Sequence, residues 1–144
     1  MIYMIQRIQS LWLLLAATAT AATFFLPVYR ATTQAGVQQN LLVGSNFLLM
    51  LVGAFLVVVP FVAIFFFKKR PQQKQFIWLS LLVQLVFIVL IWTEATRFTT
   101  GQEFKQESYF FGAIMPVVSI VFLVLAYRGI RHDEKLLKEM DRLR

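Results

Sequence analysis

Four apolar runs, at about residues 8–29, 41–67, 76–93 and 109–127, constrain this chain more than any other feature. Each is close to or beyond the roughly 20 helical residues that cross a hydrocarbon core. In lipid every backbone N–H and C=O must be satisfied within the protein, so runs of this kind are read as helices. The expected fold is therefore an all-α polytopic membrane protein, a single four-helix transmembrane domain of two antiparallel hairpins. A composition of 59% hydrophobic and 15% charged residues agrees, because a soluble domain of 144 residues needs a far more polar surface.

Between the second and third runs stands KKRPQQK, with Lys68, Lys69, Arg70 and Lys74 around Pro71. Read as a charged hinge, it determines topology, because lysine and arginine accumulate on the cytoplasmic side of a membrane. The segment from Arg128 to Arg144 is the other strongly cationic stretch, whereas the connector 31–40 has no cation and 94–108 has only Arg97 and Lys105. Both termini and the hinge are accordingly expected in the cytoplasm and both connectors outside. The first run, with Ala16, Ala17, Ala19, Ala21 and Ala22, resembles a signal core but resumes at Phe24, Phe25 and Leu26. At about 31 Å of helix it is expected to be a retained span. A small-residue face is expected at Ala17, Thr18, Ala21 and Ala22, and hydroxyls of Thr18, Thr20 and Thr23 are expected to return to the preceding turn.

Two polar residues within the runs are candidate intramembrane groups. Gln84 sits near the middle of the third run, which Trp78 and Trp92 bracket as interfacial anchors, and its amide is expected to face the bundle. Asn46 lies near the outer end of the second run, in the role of an interfacial or interhelical hydrogen-bonder. Pro60 and Pro116 are candidate kinks.

Cysteine is absent and histidine occurs once, at His132. Thiolate metal centres and bis-histidine haem are thereby excluded, and no cofactor is expected. No nucleophile–base pair, phosphate-cradling glycine loop or intramembrane ionisable residue appears, so neither an enzyme nor an ion-coupled pump is expected. A net charge of +7 does not indicate nucleic acid, since the cations sit at the ends of apolar runs and form no stripe interleaved with aromatics.

Beyond Tyr127 the tail YRGIRHDEKLLKEMDRLR carries Ile130, Leu137 and Met140 on one stripe among charges of both signs. It reads as a short cytoplasmic helix that continues the fourth span or hinges at Gly129. Arg128, Arg131, Asp133, Glu134, Leu137, Met140, Asp141 and Arg142 are its candidate partner-binding residues.

The start MIQRIQSLWLLLAA (Met4–Ala17) and the finish AYRGIRHDEKLLKEMDRLR (Ala126–Arg144) resemble a family of small four-helix inner-membrane proteins, typical of Bacteroidota and catalogued as a domain of unknown function. The resemblance implies a multi-pass bacterial inner-membrane protein with both termini cytoplasmic, and it assigns no catalytic residue. It matches the tail at Arg128, Gly129, Arg131, Asp133, Glu134, Asp141 and Arg142. Two functions remain open: a non-catalytic accessory or scaffold subunit of a larger inner-membrane complex in contact with lipid, and a small dimeric transporter or channel for a neutral solute.

Overall fold

The computed structural model of the chain describes residues 2–101 and 103–143, and side chains from Ile8 onward. Its elements in order are α1 (Ile2–Ala22), β1 (Tyr29–Thr33), β2 (Gln38–Leu41), a 3-10 turn (Val43–Ser45), α2 (Phe47–Phe65), α3 (Arg70–Thr99), β3 (Phe104–Tyr109) and α4 (Phe111–Arg142). Helices α2, α3 and α4 are long and apolar enough to cross a membrane, while the apolar part of α1 from Ile8 to Ala22 is shorter.

The helices pack along seams whose spacing alternates between four and three. On α4 the buried residues are Gly112, Pro116, Ser119, Leu123, Ala126, Ile130 and Asp133. On α3 they are Gln73, Ile77, Ser80, Gln84, Phe87, Ile91 and Ala95. Gln9, Leu13, Ala16 and Thr20 continue the pattern on α1, and Thr23 just beyond it. A 3.5-residue period keeps one face turned toward a neighbour over many turns, the geometry of left-handed bundles. Each helix touches two others, α1 against α4 and α2, and α3 against α2 and α4. Polarity is inverted relative to a soluble bundle. Hydroxyls and amides lie inside, whereas Phe61, Leu82, Leu85, Val89, Val121 and Trp92 are about half exposed on the outside. Leaving such side chains in water would cost about 1.5–3 kcal/mol each relative to burial, a penalty that a lipid surround removes.

The two connectors meet in a three-stranded antiparallel sheet of order β2-β1-β3. Strand β1 pairs with β2 through Tyr29↔Leu41 to Thr32↔Gln38, and with β3 through Tyr29↔Tyr109 to Thr32↔Gln106, with a bulge between Thr32 and Thr33. The β1–β2 hairpin closes with Gly36 at φ 81, a left-handed position that suits glycine. Further backbone bonds lock sheet to bundle: Phe110 N–H donates to Val28 O (3.1 Å) and Gly112 N–H to Pro27 O (3.1 Å). Gly112 is obligatory there, because a Cβ would stand 2.5 Å from Pro27 O and 2.7 Å from Leu26 O.

Several expectations are corrected. The fold is mostly helical but not all-α, because Tyr29–Thr33 and Phe104–Tyr109 satisfy their backbone groups against each other; β1 buries Tyr29 and Ala31, whereas β3 is exposed at every position after Phe104. The helix of the first apolar run does not reach residue 29: α1 ends at Ala22, four residues turn, and Pro27 precedes the strand. Helix α2 starts at Phe47, not residue 41. The expected hinge is only the turn Phe66–Lys69. Arg70 to Lys74 already belong to α3, since Pro71 occupies the first turn, where its missing N–H costs nothing. Helix α3 also continues past residue 93 to Thr99, and α4 runs unbroken through Gly129, so of the two alternatives for the tail it is the continuation of the fourth helix. Pro60 and Pro116 both lie inside continuous helices, buried on their seams. The small-residue face of α1 is rotated from the expected one, with Ala16, Ala17 and Thr20 buried and Thr18 exposed. Arg144 lies outside the described residues.

Candidate functional site

Polar side chains concentrate at the end of the bundle opposite the sheet. Seam positions of α1, α3 and α4 there are Gln9, Gln73 and Asp133, which are 7%, 2% and 6% exposed. Gln9 Nε2 donates to Asp133 Oδ2. The backbone approach that permits this bond occurs at Gly129, where a Cβ would lie 3.2 Å from Gln9 Cγ. One residue beyond Asp133, Glu134 turns toward α3 and accepts from Lys74 Nζ at 2.8 Å. Two atoms of the cluster, Asp133 Oδ1 and Arg70 Nη1, are buried without a hydrogen-bond partner. A buried carboxylate oxygen left without a donor is costly, so Gln9 carries much of the burden of keeping Asp133 inside.

This placement corrects the reading of the tail as one exposed surface. Asp133 and Ile130 are core residues and Glu134 is tied to α3, whereas Arg128, Arg131, Met140, Asp141 and Arg142 are exposed and Leu137 is half-buried. Gln9 and Gln73 escaped attention in the sequence. Their signal was available: each is the polar residue in step with a four-three apolar seam, 9-13-16-20-23 and 73-77-80-84-87.

Midway along the bundle a second polar layer is small and mostly self-satisfied. Thr20 Oγ1 donates to Ala16 O (3.1 Å) or Ser119 Oγ (3.0 Å), Ser119 Oγ donates to Ala16 O (3.0 Å), and Ser80 Oγ donates to Phe76 O (2.9 Å). Gln84 does face the bundle, fully buried, with Nε2 donating to Pro116 O at 3.3 Å and Oε1 unpartnered. Asn46 joins no such layer. It caps α2 instead, accepting from Leu48 N (2.9 Å) and Leu49 N (3.4 Å).

At the sheet end, Tyr29 is buried beneath the strands and its hydroxyl donates to Glu107 Oε2 at 3.0 Å. Burial, followed by that hydrogen bond and the negative charge of Glu107, pushes the Tyr29 hydroxyl up to about 12. Arg30 lies on the other face, donating to Asn40 Oδ1 (3.0 Å) and standing 3.9 Å over the Phe110 ring. Among the described residues no group of three or more His, Cys, Asp or Glu is placed to hold a metal ion.

The chain belongs to a family described as a domain of unknown function (DUF4293), whose profile matches residues 5–143 and thus nearly its whole length. No curated protein and no solved structure matches it.

Proposed function

We propose that the chain is a non-catalytic accessory or scaffold subunit of a larger assembly in a bacterial inner membrane, as its resemblance to inner-membrane proteins of Bacteroidota suggests. In this reading all four helices cross the bilayer as two antiparallel hairpins. The sheet faces outward, and the charged end with both termini faces the cytoplasm. The cation-rich turn at Lys68 and Lys69 and the cations after Tyr127 support that orientation.

The observation that carries the scaffold reading is the length of α4. Its 32 residues rise about 48 Å, well beyond a hydrocarbon core of about 30 Å. After Glu134, the last residue held to α3 by a side chain, the helix continues with Leu136, Met140 and Leu143 at 39%, 54% and 90% exposure. Such side chains at a helix end favour cover by another protein. The test is deletion of residues 135–144, which leaves Asp133 and Glu134 in place, with native membranes crosslinked and the partners identified by mass spectrometry. Loss of specific partners with intact membrane insertion is expected; an unchanged partner set overturns docking through α4.

The buried, unpartnered Oε1 of Gln84 favours a second reading, a dimeric channel or transporter for a neutral hydrogen-bonding solute. Solute flux in proteoliposomes that disappears in Gln84→Leu would support it.

A further inference from the structure

The tail of α4 mixes charge signs in sequence, but the helix sorts them. At 100° per residue, Arg128, Arg131, Lys135, Lys138 and Arg142, spaced by three and four, fall within an arc of roughly 80°. All five are exposed, on the far side of the helix from the buried Ala126, Ile130 and Asp133. The acids lie outside the arc. Asp133 is buried under Gln9, Glu134 borders the same open groove as Arg131, Lys135 and Lys138 but is paired with Lys74, and Glu139 and Asp141 lie on the two flanks of the arc. Among the described residues none of the five cations joins an ion pair.

We propose that this cationic ladder is a docking surface for an acidic segment of a partner polypeptide. The proposal rests on the scaffold reading and specifies the chemistry of the partner. Lipid headgroups cannot cover the ladder. Tyr127, edge-on to Trp78 at 5.8 Å, marks the aromatic belt. From there the helix carries the ladder about 21 Å along its own axis, whereas a headgroup layer is about 5–8 Å deep. Arg128 and Arg131 reach lipid phosphates; Lys135, Lys138 and Arg142 stand beyond them. Nucleic-acid sites pair such a stripe with exposed aromatics, and residues 128–143 include no Phe, Tyr or Trp. Carboxylates at helical spacing on a partner polypeptide match cations three and four residues apart, while the exposed Leu136, Met140 and Leu143 lie on another face, about 100–160° from the centre of the ladder.

The test uses the full chain in nanodiscs of zwitterionic lipid, titrated with polyglutamate or with duplex RNA at one salt concentration, and then repeated in anionic lipid. Polyglutamate is expected to bind, and the triple variant Arg131→Gln, Lys135→Gln, Lys138→Gln to weaken it about tenfold, the loss expected of three exposed ion pairs. The control variant Lys68→Gln, Lys69→Gln is expected to stay within about twofold. Equal losses in the two variants, tighter binding of RNA than of polyglutamate, or absent polyglutamate binding overturns the proposal. Circular dichroism of each variant verifies the fold. In native membranes the two readings separate. A triple variant that keeps every partner lost on deletion of 135–144 removes the ladder and leaves the scaffold. Ladder-dependent binding by a chain recovered only as a lone monomer leaves the ladder's chemistry and removes the scaffold.

Discussion

The two ends of the bundle are closed in different ways. At the sheet end, connectors far apart in sequence exchange backbone hydrogen bonds, with Tyr29 opposite Tyr109 and Gly112 against Pro27. At the charged end the described bonds between distant helices run from side chain to side chain: Gln9 to Asp133 and Lys74 to Glu134. A backbone ladder tolerates substitution of the residues that form it, provided nothing obstructs the close approach. A side-chain closure fails when one partner is removed, because the other stays buried without it. The sheet end should therefore be sensitive to steric change at a few positions, and the charged end to chemistry.

The largest effect is expected where the sheet end has no room. Gly112→Ala places a methyl 2.5 Å from Pro27 O and 2.7 Å from Leu26 O, both backbone atoms that cannot rotate away. A loss of about 3 kcal/mol is expected, the upper part of the usual range for overpacking. Gly44→Ala is the control, since a Cβ there meets nothing within 4 Å. Thermal unfolding in detergent should separate the two; similar midpoints would mean that the contact of Gly112 with the Leu26–Pro27 backbone is not tight.

At the charged end the corresponding break is Gln9→Leu. It leaves both oxygens of Asp133 without a donor in a position only 6% exposed, at an expected cost of about 2 kcal/mol. Asp133→Leu in the same background should recover part of that loss, because two apolar residues of similar shape leave nothing unsatisfied. Additive losses in the double-mutant cycle would show that the pair does not interact.

Legibility in the sequence followed the same division. The helices were legible because length and apolarity mark each run separately, and the burial of Gln84 followed from an amide in an apolar run needing partners inside the bundle. The sheet was not legible: YRATT and FKQESY are short and mostly polar, and nothing local says that strands 70 residues apart will pair. At the charged end the charges themselves were conspicuous and their roles were misread. Asp133 looks solvated when its neighbours are His132 and Glu134, and only the four-three step from Ile130 and Ala126 reveals it as a seam residue. Asn46 shows the converse, since an asparagine just before an apolar run is an ordinary N-cap signal.

A pH experiment sharpens the contrast. The Tyr29 hydroxyl is raised from 10.0 to about 12 in the folded chain, chiefly by burial. The group is neutral in both states below pH 10, where its contribution is fully present. Between pH 10 and 12 the unfolded chain releases the proton and the folded chain does not, so this contribution falls as pH rises. Tyr29→Phe should cost about 1 kcal/mol at neutral pH for the lost bond to Glu107 and should flatten the alkaline decline relative to the parent. Parallel declines in the two proteins would show that Tyr29 is not the group responsible.

The smallest expected effect is at Lys74. Its ion pair with Glu134 is about one-quarter exposed on each side, and pairs of that kind contribute about 0.5 kcal/mol. Lys74→Gln should therefore barely shift the unfolding midpoint. Its effect on charge distribution is larger than its effect on stability, because Glu134 then stands unpaired beside Arg131, Lys135 and Lys138 along the same open groove. The freed carboxylate competes with any acidic ligand of the ladder, and polyglutamate affinity should drop by about twofold to threefold while stability is unchanged. If both stay constant, Glu134 does not reach the cations and the sorting of charge around α4 does not depend on Lys74. If stability falls by well over 1 kcal/mol, the charged end is held by this pair as firmly as by Gln9 and Asp133, and the contrast between the two kinds of closure must be redrawn around α3.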